Sequence, residues 1–297
     1  LSKMKISEDS LVKCEPIFQC FVHEMGIVND FGKDIFFTIG VKPSLYSETM
    51  RVLNHYASDR ARSAYCMLVN GMVWDAEIIV RSFYEAVAKS LFLATAIQER
   101  REALLEEYWE VLPAIFDHEG ADRAEIAEKL ARRHGNKDDE RVLAHLRNST
   151  IFNLDRVGNR KFRSEVKQRW SFSGIVSLLS GSNKSHNRIA FIDTLFHGYG
   201  MSSHLLHASP KAMDLMEDRV TRGSDLKLLE VSHVTRILSD ILHLSAFSFH
   251  QVQIATIAKL PLPSVIKESL ERFSEIVRPF REEFARSQDG FYGKYES

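Results

Sequence analysis

The run from Gly71 to Ala96, GMVWDAEIIVRSFYEAVAKSLFLATA, holds no proline and no glycine after its first residue. At about 100° per residue it places Val73, Ala76, Val80, Phe83 and Val87 on one stripe. Arg81 and Glu85 fall on a second stripe among Ile78, Ala88 and Phe92, which is itself largely apolar. A helix that is hydrophobic most of the way round belongs in the middle of a domain, so Arg81 and Glu85 are expected to be partly buried. Buried charges need partners. Tyr199, Ser203 and His207 are the best candidates elsewhere in the chain: their spacing of four residues sets them on one helical face, with His204 beside them.

Further helical segments surround this run. Ser44 with Glu48 close behind reads as the cap of a helix to about Asn70. A helix from Glu99 is expected to end or kink at Pro113. Residues 117–147 turn to charged, short-period segments joined by Gly135-Asn136, the pattern of a solvated helical hairpin. From His186 a helix is expected to about Ala208, with Gly198 and Gly200 marking close packing or a bend. Ser209-Pro210 opens another helix. Ser224 is the expected cap of a long helix ended by Pro261-Leu262-Pro263, and a last one from Ser264 crosses Pro279, where a kink is expected. Residues 1–43 are less regular. Glu15-Pro16 suits the start of a short helix, and Ile35–Val41 has the most strand-like composition in the chain. The expected architecture is an all-α multi-helix bundle with an N-terminal segment (1–43) and a core (44–222) carrying a charged insertion at about 117–147. Residues 223–297 are read as a helical extension packed on that core.

A formal charge of −1 gives no general pull toward nucleic acid or acidic lipid, so any such binding must come from a local patch. Cys14, Cys20 and Cys66 form no C-x-x-C pair, which argues against a disulfide framework and for a reducing, cytoplasmic setting. Apolar runs such as Leu91–Ala94 fall far short of the ~20 residues of a membrane span, so no membrane partner is expected.

Arg81, Glu85, Tyr199, Ser203 and His207 supply a guanidinium, a carboxylate, two hydroxyls and an imidazole. These groups suit phosphodiester chemistry, in which His moves a proton and Arg stabilises charge on phosphorus; they equally suit a structural network between helices. A second choice is Arg236 with His243, seven residues apart and so on one face. Arg160, Lys161, Arg163, Lys167 and Arg169, with Phe162 interleaved and Trp170 adjoining, form either a basic surface segment or a contact for a nucleic-acid backbone. His186, His197, His204 and His207 lie in one segment, yet H-E-x-x-H and paired E-x-x-H motifs are absent, so neither a metal nor another cofactor is expected. The Gly- and Ser-rich loop 180–185 lacks the spacing of a phosphate-binding loop.

The segments Arg81-Ser82-Phe83-Tyr84-Glu85-Ala86 and Tyr199-x-x-x-Ser203-x-x-x-His207 resemble a bacterial family of helical proteins of unknown function that carries R-S-x-x-E-A and Y-x-x-x-S-x-x-x-H helices. That family is distantly similar to HEPN domains. The resemblance implies a metal-independent ribonuclease or RNA-binding effector of a defence or toxin system, acting as a homo-oligomer. HEPN ribonucleases carry R-x(4 to 6)-H with a polar residue after the Arg; Arg236 to His243 fits the spacing, and Ile237 departs from the polar preference. The contrasting expectation is a non-catalytic interaction module that binds a partner through its C-terminal helices.

Overall fold

The computed structural model describes residues 5–148, 155–181, 186, 188–189, 191–192, 194–207, 209–221, 226–257 and 259–292. Among these residues the chain is all-α; no strand forms, and one isolated bridge joins Ala96 to His186. In chain order the helices are α1 (Glu8–Gly40), α2 (Leu45–Val69), α3 (Val73–Thr95), α4 (Gln98–Glu106), α5 (Leu112–Arg133), α6 (Lys137–Asn148), α7 (Arg160–Arg169), α8 (Phe172–Ser180), α9 (Thr194–Leu206), α10 (Pro210–Thr221), α11 (Leu226–Thr256) and α12 (Ser264–Tyr292). Two compact units result. Leu1–Thr95 joins Arg188–Ser297 in the first, and Ala96–Asn187 forms the second.

In the first unit α3 packs against α2, α9 and α11, and its apolar side chains from Val73 to Leu93 are buried on nearly every side. The capping box of Ser44 and Ser47 starts α2 as its sequence suggests. Gly71 joins α2 to α3 at φ +77°, a left-handed conformation that glycine enters without the penalty of a Cβ, and its carbonyl accepts the Ile6 amide at 2.9 Å.

Residues 1–43 behave differently from expectation. Residues 35–40, strand-like in composition, are the last turns of α1, and Pro16 lies inside that helix rather than opening one. Proline removes one backbone donor. The carbonyl left behind belongs to Val12, an exposed residue, while Cys14, Ile17, Phe18 and Phe21 on the other face are buried and hold the helix together. Glu24 of α1 is also buried. It takes two 2.9 Å bonds from Arg272 of α12, which outweigh the upward push of burial and leave its carboxyl lowered to about 2.

α11 is a core helix. Val234, Ile237, Leu238, Ile241 and Leu242 are all buried, and α11 packs against α1, α3 and α12. Its buried apolar residues occur on most sides of the helix, while Ser232, Arg236, Asp240, His243 and Phe247 form a half-buried stripe. The expected cap Ser224 and the loop 182–185 lie outside the described residues. α12 runs through Pro279. The helix expected from His186 begins only at Thr194.

The second unit holds α4 to α8. The charged stretch 117–147 makes the hairpin of α5 and α6, where Glu128 is buried and bound by Arg132 and Arg147 at 2.9 and 2.7 Å. Pro113 does not end the preceding helix. A π turn, Glu107–Val111, carries the chain across to α5, with the Leu112 amide bonded to the Glu107 carbonyl and Pro113 in the first turn of α5.

Candidate functional site

Arg81 and Glu85 sit one turn apart on α3, and α9 brings Tyr199, Ser203 and His207 to them from the facing side. Arg81 Nε donates to Glu85 Oε1 at 3.1 Å, Nη2 to the Tyr199 hydroxyl at 2.9 Å, and Nη1 to Ser203 Oγ at 3.4 Å. The guanidinium carbon also lies 4.9 Å from the centre of the Tyr199 ring. Tyr199 in turn donates to Glu85 Oε1 at 2.9 Å, and burial together with Glu85 raises its phenol above the ordinary value. All five residues picked from helical spacing therefore form one cluster.

His207 completes it from the solvent side. Its Nε2 lies 3.2 Å from Arg81 Nη1, and the residue is exposed, whereas Arg81 is largely covered. A guanidinium N–H can only donate, so Nε2 must accept, and the proton of the neutral ring resides on Nδ1.

Directly beneath lies a second network that sequence reasoning missed. Glu77, one turn before Arg81 on α3, is fully buried. Its carboxylate accepts from Arg236, from His233 Nδ1 at 2.8 Å and from Ser202 Oγ at 3.2 Å. Arg236 also donates to the Tyr84 hydroxyl at 3.0 Å and to Asp240 at 3.1 Å, and Tyr84 donates to Asp240 at 2.5 Å. Burial alone would push the Glu77 carboxyl up; Arg236 and His233 override it and hold it at about 2. The Tyr84 phenol moves the other way, raised well above its ordinary value by burial and by Asp240. Two signals pointed here: a further acid, Glu77, in the same largely apolar helix as Arg81 and Glu85, and an Arg and Asp four apart on α11.

Arg236 and His243, the alternative pair, are not brought together. Arg236 is engaged with Glu77, Tyr84 and Asp240, while His243 Nδ1 bonds the Ser239 carbonyl at 2.8 Å and its Nε2 faces Ser274 at 3.5 Å. Spacing of seven shares a face, but each side chain follows its own buried partner.

The basic stretch is largely neutralised within the second unit. Lys167 pairs with Glu119 at 2.7 Å and Arg169 with Glu107 at 2.5 Å, while Arg163 donates to the Val157 carbonyl at 2.7 Å. Trp170 is buried, with its indole N–H on Glu107 at 2.8 Å, and is closed to base stacking. Among the described residues Arg160 and Lys161 are exposed and without an acidic partner.

His204 bonds Ser209 at 3.2 Å while its neighbour His207 faces Arg81, so the two do not converge. The side chain of His197 lies outside the described residues. Among the described residues no three His, Cys, Asp or Glu side chains are arranged to hold a metal ion, and no helix is long and apolar enough to cross a membrane. An apolar groove of about 570 Å³ opens between α1 and α2, lined by Leu11, Phe18, Val22, Tyr65 and Val69 and by none of the cluster residues.

Fold and site define an all-α protein with a polar cluster between two of its helices. Residues 56–223 match a family of unknown function (DUF5677), and the chain belongs to that family. The matched region contains both Arg81–Ala86 and Tyr199–His207. No curated protein and no solved structure matches the chain.

Proposed function

We propose that this protein is a HEPN-like effector that cleaves RNA without a metal ion at the Arg81–His207 cluster. The observation that carries the reading is the solvent-exposed His207, whose accepting nitrogen faces the covered Arg81 guanidinium at 3.2 Å. In this role His207 releases Arg81, and the freed Nε2 lone pair removes the proton of an attacking ribose 2′-hydroxyl. The 2′-oxygen bonds to phosphorus, the bond to the 5′-oxygen breaks, and the leaving oxygen is protonated by water. Arg81 offsets the charge that builds on the phosphoryl oxygens. Glu85 and Tyr199 hold the guanidinium in place. Assembly as a homo-oligomer with a composite cleft, in a defence or toxin setting, is part of the same proposal and rests on the resemblance to HEPN domains.

One observation favours a second reading, that of a non-catalytic helical module. Arg81 already meets Glu85, Tyr199, Ser203 and His207 within the chain, which is how an architectural network satisfies a covered cation. Cleavage of total cellular RNA without added metal, measured beside thermal melting for wild type, His207→Ala, Arg81→Ala and His243→Ala, separates the two. The ribonuclease reading expects His207→Ala to lose cleavage by about 10²- to 10⁴-fold with its melting nearly unchanged, because the ring is exposed. Wild-type protein that cuts no RNA, with His207→Ala chiefly less stable, sinks that reading; loss confined to His243→Ala moves the site to α11.

A further inference from the structure

We infer that Gly198 is the positioning residue of the cluster: its missing side chain lets α9 seat on the buried Glu77 network, and that seating aims Tyr199, Ser203 and His207 at Arg81. A Cβ built at Gly198 would lie 2.9 Å from the Tyr84 hydroxyl and 3.1 Å from Arg236 Nη1. Both atoms are held in place by hydrogen bonds. Tyr84 is fully buried and bonded to Asp240 at 2.5 Å, and Arg236 is tied to Glu77, Tyr84 and Asp240. One turn on, Ser202 Oγ bonds both Glu77 at 3.2 Å and the Gly198 carbonyl at 3.0 Å, so the stripe 198–202 of α9 is keyed to the network. The stripe 199–203–207 is offset from it by one residue and takes its orientation from that key. On α3 the two groups adjoin as well, with Glu77 and Tyr84 inside the network and Arg81, four residues after Glu77, and Glu85, one after Tyr84, in the cluster.

Gly200 supplies the internal control. It lies on the same helix, two residues away, and a Cβ there meets nothing within 4 Å. Helix propensity by itself makes Gly→Ala stabilising at both positions. Opposite signs at the two glycines are therefore a signature that a general helix effect does not produce.

The experiment compares wild type, Gly198→Ala, Gly200→Ala and the double variant Gly198→Ala/Tyr84→Phe, the last removing the oxygen nearest the new methyl. Two readouts are taken: the thermal midpoint, and the nuclear Overhauser cross-peak between the Arg81 side chain and the His207 ring in selectively labelled protein. Gly198→Ala is expected to lower the midpoint by about 2–4 °C or more and to lose the cross-peak, while Gly200→Ala keeps the cross-peak and melts no lower than wild type. The double variant is expected to regain the cross-peak. Should Gly198→Ala yield no folded protein, the double variant decides: recovery of fold and cross-peak supports the assignment, and failure to recover overturns it. A folded Gly198→Ala protein with its cross-peak intact overturns it as well. RNA cleavage by the same variants is the one arm that rests on the proposed ribonuclease reading; the cross-peak reports assembly of the cluster even in a protein that cuts nothing.

Discussion

Replacing Glu77 by Gln removes the charge around which Arg236, His233 and Ser202 are arranged, and leaves a covered guanidinium without its main counter-ion. Two routes give the cost. Breaking a buried ion pair by deleting one partner typically destabilises by about 3–5 kcal/mol. Independently, a carboxyl held at about 2 in the folded protein against 4.5 as its ordinary value corresponds to roughly 3 kcal/mol. The folded value lies below the unfolded one, so this contribution is complete above pH ~4.5 and is lost as pH falls from there toward ~2. At pH 3 the linkage relation leaves a little over 1 kcal/mol, so roughly 2 kcal/mol has gone. Urea denaturation followed by circular dichroism at pH 7, 5 and 3 measures this directly. The gap between wild type and Glu77→Gln should be near 3 kcal/mol at pH 7 and 5 and narrow by roughly 2 kcal/mol at pH 3. Taking the difference between the two proteins cancels the other carboxylates they share. A Gln variant as stable as wild type, or a gap that stays constant from pH 7 to 3, would refute the argument that Arg236 and His233 hold Glu77 ionised.

Two other substitutions test separate parts of the structure. Gly71→Ala places a Cβ on a residue at φ +77° and should lower stability by about 1 kcal/mol or more, read as a fall in melting temperature; an unchanged midpoint would show that the turn between α2 and α3 relaxes freely. For the basic segment, Arg160→Ala/Lys161→Ala removes the two exposed cations of α7 that lack acidic partners. If this segment touches single-stranded RNA, the slope of log affinity against log salt should become shallower by about 1.4, and an unchanged slope assigns it to the protein's ordinary surface.

The sequence alone determined the helical class, because runs of apolar residues at helical spacing, punctuated by Gly71, Ser209-Pro210 and Pro261-Leu262-Pro263, leave few other ways to bury a core. It also singled out the whole Arg81, Glu85, Tyr199, Ser203 and His207 cluster. A charged pair inside an apolar helix demands partners, and a polar i, i+4, i+8 stripe on another helix can provide them. Local pattern could not say where each remaining side chain would go. Arg236 and His243 share a face of α11, yet Arg236 is drawn to Glu77, about 160 residues away in sequence, while His243 bonds the Ser239 carbonyl one turn back. Residues 35–40 have strand-like composition but continue α1, because buried Ile35 and the Phe36 contact with Phe249 of α11 extend an existing helix, whereas a strand here would have no partner. The cations of 160–169 resemble a phosphate contact in one dimension, whereas in three Glu107 and Glu119 neutralise two of them. Gly198 reads as a weak point in a helix until Tyr84 and Arg236 stand against it. Periodicity reports which residues share a face, and only the tertiary structure decides what that face meets, because burial and pairing depend on groups that the chain brings together from a distance.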